Sequence, residues 1–245
     1  MQRVFDSILV LWEFFKAYPV PILTVSCVPL VGGLLWLLRD KLDLTLRQII
    51  GLAVSFVVFG LLSLIVFGML HDGRLYPSST YQHQGLIFFM PLWFYAVSKW
   101  LKRDWREVFD VFSVILPFVV AGIRTYCISQ GCCYGLPFFG SATVQWPVRE
   151  ITMALNIIIG LVFYRWIRRE HTPGIMLPTY LMLYSLIRFE EVVLWGNIYR
   201  DWSYKDRTLA ILSFVIGICF YFRLDREKAA ARPETERNRQ GREEP

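Results

Sequence analysis

Three ionisable side chains, His83, Arg124 and Arg188, stand within or at the ends of apolar stretches that otherwise carry little charge. An arginine near a bilayer centre costs about 2.5–3.5 kcal/mol on insertion scales, so such residues face a protein interior and have partners. Brought to one level, the three would form an anion-binding site. Guanidiniums hold phosphate or carboxylate through paired N–H donors, and a histidine beside them can take or give a proton near neutral pH. Each residue also has a plainer role. Arg124, at a helix end, reads alone as a side chain snorkelling to the interface. Arg188 has Glu191 three positions on, on the same helix face, as an intrahelical ion-pair partner, whereas Glu190 points elsewhere. His83 alone reads as a loop histidine.

A second cluster runs from Arg124 to Gly135 and is rich in glycine and cysteine, with Cys127, Cys132 and Cys133. A metal site built from these thiols and His83 is disfavoured, because adjacent cysteines make poor paired ligands for one tetrahedral ion and no Cys-x-x-Cys is present. Redox use of the thiols, including a strained vicinal disulfide, is a second possibility with no partner motif. The default reading is a tight turn, in which small residues let backbone pass close to a ligand.

The elements that must position these residues follow from composition. The chain has 245 residues, 55% of them hydrophobic, 16% aromatic and only 19% charged, with mean hydropathy +0.43 and formal charge +6. A soluble domain has about 25% charged residues, and the apolar surplus here is gathered into runs near the ~20 residues that cross a hydrocarbon core. This composition excludes a soluble enzyme, a nucleic-acid-binding module and a disordered protein. Five cysteines without secreted-scaffold spacing do not imply a disulfide framework. The expected fold is an all-α polytopic membrane protein with about seven transmembrane helices. The spans are Val20–Leu38, Gln48–Leu70, Gly85–Trp100, Val108–Ile123, Val148–Ile167, Ile175–Trp195 and Thr208–Phe222.

Residues 1–17 read as an amphipathic interfacial helix, 18–223 as the transmembrane domain and 224–245 as a charged, disordered tail. Thr24-Val25-Ser26-Cys27 has a faint lipobox look, but the apolar run continues past it, so it reads as plain spanning helix. With the N-terminus outside and the C-terminus cytoplasmic, 17 of the 26 Lys and Arg residues fall on the inner side. These lie in Arg39–Arg47, Lys99–Arg106, Arg165–Arg169 and the tail, so cytoplasmic anchoring explains most of the positive charge. No polyanion partner is required.

Several motifs, in order, resemble those of bacterial prolipoprotein diacylglyceryl transferases. The run from Arg124 to Gly135 is similar to that family's Gly-Arg-x-Gly-Asn-Phe-type signature, and the spacing of Asp110, Pro117, Gly122 and Arg124 before it is similar too. His83-Gln84-Gly85-Leu86 resembles its His-Gly-Gly-Leu, and Tyr184-Ser-Leu-Ile-Arg188-Phe189 its Tyr-Gly-x-x-Arg-Phe. The resemblance covers roughly Leu70 to Trp195. Cys127 stands where the family usually has Asn, Cys132 where many members have an acid, and Gln84 replaces the first glycine after the histidine. The family's acid after Arg-Phe would fall at Val192, and Glu190 and Glu191 come two and one residues early. Its first-span Trp-Tyr-Gly and its Gly-Ala-Arg segment near the second span have no match here.

The resemblance implies transfer of the sn-1,2-diacylglyceryl group from phosphatidylglycerol to the lipobox cysteine thiol of a prolipoprotein. The setting would be the bacterial inner membrane, with the site facing the outer leaflet. It implies Arg124 and Arg188 as a phosphate clamp and His83 as the base. Gly85, Cys127, Cys132, Gly135 and Glu191 would line the substrate, and no metal or organic cofactor is needed. The implied partners are phosphatidylglycerol, a prolipoprotein signal peptide and membrane lipid. A non-catalytic lipid- or peptide-binding homologue and a membrane thiol oxidoreductase using Cys132 and Cys133 are the alternatives. A transporter is disfavoured by the lack of an internal repeat.

Overall fold

A computed structural model describes residues 19–73, 84–131, 135–140, 145–195 and 200–243. The segment 1–17, expected to be an interfacial helix, lies outside the described residues. Seven long helices fall on the seven apolar segments: α1 Pro19–Leu37, α2 Leu46–Asp72, α3 Gln84–Leu101, α4 Trp105–Ser129, α5 Val148–Trp166, α6 Met176–Trp195 and α7 Arg200–Glu243. Among the described residues, the stretches Leu46–His71, Trp105–Ser129 and Lys205–Glu227 are long and apolar enough to cross a bilayer. The outward face of α2 carries Leu46, Ile50, Val54, Val58, Leu62, Val66 and Leu70, a continuous stripe of exposed aliphatic side chains at four-residue steps. Such a stripe on a soluble protein would drive association; lipid is the solvent that suits it. The chain is a helical membrane protein.

Local signals set the helix ends. A capping box starts α2: Thr45 N–H donates to Gln48 Oε1 at 2.9 Å, and Gln48 N–H donates to Thr45 Oγ1 at 3.4 Å. Gly73, at φ 65°, ends it in the left-handed conformation that glycine adopts without penalty. Asp104 caps α4 by accepting from Arg106 N–H at 3.0 Å.

The tail beyond Arg223, expected to be disordered, is instead helical as far as Glu243. Arg226-Glu227-Lys228 and the following three alanines are strong helix formers. Arg223 and Glu227 form an i,i+4 pair at 3.2 Å. High charge removes a core-facing stripe without opposing helix.

α4 is the central helix. Phe112 on it meets Phe56 of α2 and Trp93 and Phe94 of α3, with ring centroids 5.9, 4.9 and 5.0 Å away. The basic connections gather at one end of the bundle: Arg103 pairs with Asp43, Arg106 with Glu227, and Arg168 Nη2 donates to the Leu37 carbonyl at 3.5 Å. At that same end Asp110, on the second turn of α4, holds the start of α6. Its Oδ2 accepts from Gly174 N–H at 2.7 Å and lies 3.2 Å from His171 Nε2, and its Oδ1 accepts from Met176 N–H at 2.9 Å. A carboxylate from another helix thus takes the orphan donors and favourable dipole of a helix N-terminus.

Candidate functional site

From the Asp110 contact, α4 and α6 run parallel toward the other end of the bundle. Fourteen residues along α4 is Arg124, about 21 Å further at 1.5 Å per residue, and it meets Glu191 of α6. Helix α7 returns antiparallel to α6: Gly217 lies against Pro178, Leu181 and Met182, while Asp206 lies against Arg188. Close approach at Gly217 brings the two backbones together, since a Cβ there would stand 3.0 Å from the Pro178 carbonyl oxygen. Arg188 and Asp206 face each other across this antiparallel pair, which sets them at one depth.

The result is a buried ion network contributed by four helices. The Glu191 carboxylate serves two arginines, pairing through Oε1 with Arg124 Nη2 and accepting through Oε2 from Arg188 Nη1 at 2.8 Å. The second terminal nitrogen of Arg188 donates to Asp206 Oδ2 at 2.9 Å. Asp206 Oδ1 lies 3.9 Å from Nε2 of His71, at the end of α2, and Lys205 Nζ donates to the His71 carbonyl at 2.8 Å. Arg124, Arg188 and Asp206 are each 2% exposed and Glu191 1%. Among the described residues two guanidiniums face two carboxylates, so these four groups balance in charge, as ions out of water must. Tyr184, buried one turn before Arg188, packs beside it, and Tyr180 below donates its hydroxyl to Asn156 Oδ1 at 3.1 Å.

Of the residues singled out in the sequence, the structure unites Arg124, Arg188 and Glu191. Arg124 does not snorkel; it is an interior residue paired with the buried carboxylate that Arg188 also uses. The pairing of Arg188 with Glu191 is present, and Glu190 is exposed. His83 and Cys132 lie outside the described residues. Cys127, one turn beyond Arg124, is buried, and its carbonyl accepts from Arg149 Nη1 at 3.3 Å.

The two glycines expected to give a ligand room are used for the chain's own packing. A Cβ at Gly85 would stand 2.2 Å from the Ser63 carbonyl oxygen, so this glycine lets α3 touch α2. At Gly135 a Cβ would stand 2.6 Å from the Trp146 Cβ, and the Gly135 N–H donates to the Trp146 carbonyl at 3.2 Å. Next to Gly85, the Gln84 amide is buried and has, among the described residues, no hydrogen-bond partner on either Nε2 or Oε1.

Sequence reasoning missed Asp206, His71 and Asp110 as partners. Charge counting held the signal for Asp206: two arginines in low dielectric call for two acids. Starting the last span at Thr208 left that aspartate in a loop.

An open crevice between α5 and α6, lined by Ile151, Leu155, Leu186 and Ile187, reaches Glu190 and Glu191. Another lies among α1, α2 and α4, between Cys27, Gly60, Leu64, Ile123 and Tyr126. Both are apolar. Among the described residues, no group of three His, Cys, Asp or Glu gathers as metal ligands would. Fold and site together define a helical membrane protein built around a charge-balanced pair of interior arginines. No family model matches the chain, and no curated protein matches it.

Proposed function

We propose that this chain is a diacylglyceryl transferase of the prolipoprotein-modifying kind. In this reading its seven helices cross the bacterial inner membrane with the N-terminus outside and the C-terminus cytoplasmic, and the ion network sits toward the outer leaflet. The observation that carries the proposal is the convergence of Arg124 and Arg188 on Glu191. These arginines belong to two separate motifs, and Glu191, one residue early by the family's spacing, still reaches both guanidiniums.

In the reaction, the lipobox cysteine thiolate attacks the glyceryl carbon that bears the phosphate. The carbon–sulfur bond forms as the carbon–oxygen bond breaks, and glycerol phosphate leaves with the bonding pair. Charge grows on the phosphate oxygens in that transition state. Guanidiniums already oriented in a water-poor site stabilise it without the reorganisation that water would need. Deprotonation of the thiol falls to His83 in the family's pattern, with the arginine field lowering the cost. The apolar crevice reaching Glu191 supports a substrate with acyl chains, because such chains would lie in it while the phosphate sits at the arginines.

The test is complementation of a strain depleted of its own transferase, with mass spectrometry of the lipoprotein's N-terminal cysteine. Arg124→Ala is expected to abolish thioether formation, and Arg124→Lys to lose most of it because bidentate contact is lost. Full activity of the alanine variant would end the phosphate-clamp reading. The charge balance of the network favours a second reading, a homologue that binds lipid or peptide without turnover. Retained phosphatidylglycerol binding with no thioether product would establish that one.

A further inference from the structure

We propose that the connection between α4 and α5 is an interfacial anchor: a hairpin with arms 135–140 and 145–147 lays Phe139 and Leu136 into the headgroup level of the bilayer that the helices cross. The partner is the lipid surface, whatever the arginines bind.

The sequence sets this connection apart. From Thr125 to Val148, 24 consecutive residues include no Asp, Glu, Lys, Arg or His. At the other end of the bundle the connections 38–45, 102–104 and 167–175 carry six Lys and Arg residues. A loop bathed in water has no reason to exclude charge over such a length, whereas a segment lying at the boundary of headgroups and acyl chains does.

The base of the hairpin is pinned by backbone. Trp146 N–H donates to the Leu136 carbonyl at 2.9 Å and Gly135 N–H to the Trp146 carbonyl at 3.2 Å, and Pro137 forms an antiparallel bridge with Gln145. Phe138 packs steeply against the Trp146 and Phe139 rings, with centroids 4.6 and 4.5 Å away. Phe139 itself is 87% exposed and stands at φ 46°, a left-handed conformation unfavourable for a bulky residue. Leu136 on the same arm is 38% exposed. In water an aromatic ring presented in this way loses the burial that would offset its strained backbone; at a membrane interface the ring is covered.

The neighbouring surface identifies that cover as lipid. Outward-facing aliphatic side chains continue along α5 at Ile151, Leu155, Ile158 and Val162, in steps of three and four residues like the lipid-facing stripe of α2. The first basic residue after the hairpin does not interrupt them: the Arg149 side chain is 12% exposed, pairs with Glu150 and donates to the Cys127 carbonyl. Apolar surface therefore passes from the helix to the hairpin without an outward-facing cation. A protein-docking patch carries a polar, charged rim; here the exposed residues are Phe, Leu and Pro beside a Trp, the composition of an interfacial belt.

The experiment uses the full-length chain in nanodiscs of phosphatidylcholine and phosphatidylglycerol, with Phe139 replaced by its trifluoromethyl derivative. The fluorine resonance is followed with one of three paramagnetic probes: a lipid bearing a nitroxide at headgroup level, a lipid bearing it at the chain end, or a gadolinium chelate confined to water. The expected result is loss of the signal with the headgroup-level nitroxide and its retention with the other two. Loss to the chelate would place the ring in water and overturn the anchor. Loss to the chain-end nitroxide alone would overturn the interfacial level. Retention with all three would mean that protein covers the ring, from this chain or a second copy, and would equally overturn the proposal. Should the label at 139 prevent accumulation, the same labelled phenylalanine in place of Leu136 carries the test with the same outcomes.

Discussion

Helices α4 and α6 are joined at two places, and the two joints are chemically opposite. At Asp110 a carboxylate meets the backbone N–H groups of Gly174 and Met176. At Arg124 a guanidinium meets a carboxylate that a second guanidinium shares. Backbone donors cannot rotate away, so the first joint fixes the register of one helix on the other. Side-chain ions have rotatable bonds, so the second joint is set by side-chain geometry and not by backbone. The same pair of helices therefore has a backbone-anchored end and an end held by side-chain ions, and the first positions the second.

Breaking the shared carboxylate is the harshest test of that contrast. Glu191→Gln leaves two buried guanidiniums with one acid between them, and a loss of about 3–5 kcal/mol of stability is expected. Chemical unfolding in micelles would measure it. A loss under 1 kcal/mol would mean that the network is hydrated and not the dry ion cluster described here.

Asp110→Asn is expected to cost less, about 1.5–3 kcal/mol, because the amide keeps one acceptor but loses the charge-assisted bonds. Combined with Glu191→Gln, its cost should add within about 0.5 kcal/mol, since the joints share no partner and lie roughly 20 Å apart along the helices. Strong coupling in that double-mutant cycle would show that register at one end is transmitted to the ions at the other.

The mildest test concerns Gln84. If its unpaired amide is only a packing residue, Gln84→Met should be neutral or stabilising by about 1 kcal/mol, because an orphaned buried polar group is removed. If the amide awaits a substrate, thioether formation should fall while stability holds.

How far the sequence reached can be judged residue by residue. The apolar runs located the seven long helices among the described residues, because in a helical membrane protein outward-facing and core-facing side chains alike are apolar and the basic connections are charged. Placing the basic loops at one end was legible for the same reason, and the Arg103–Asp43 and Arg106–Glu227 pairs join those loops in space. Gly85 was legible as a place of close backbone approach, but not the identity of what approaches. That is Ser63, which no local pattern indicates. The helical tail was missed because high charge was read as disorder, although its alanines and alternating charges favour helix.

The sequence by itself determined a helical membrane protein, the positions of its helices, and the ion pair of the site that helical periodicity dictates, Arg188 with Glu191. Only the tertiary structure decided that Arg124 shares that glutamate, that Asp206 holds the second terminal nitrogen of Arg188, and that Asp110 registers α6 on α4. The reason is geometric: within a helix, neighbours at three and four positions follow from the 3.6-residue turn. The rotation and depth of one helix against another depend on packing summed over the whole interface, at points such as Gly85 and Gly217 where backbones close in.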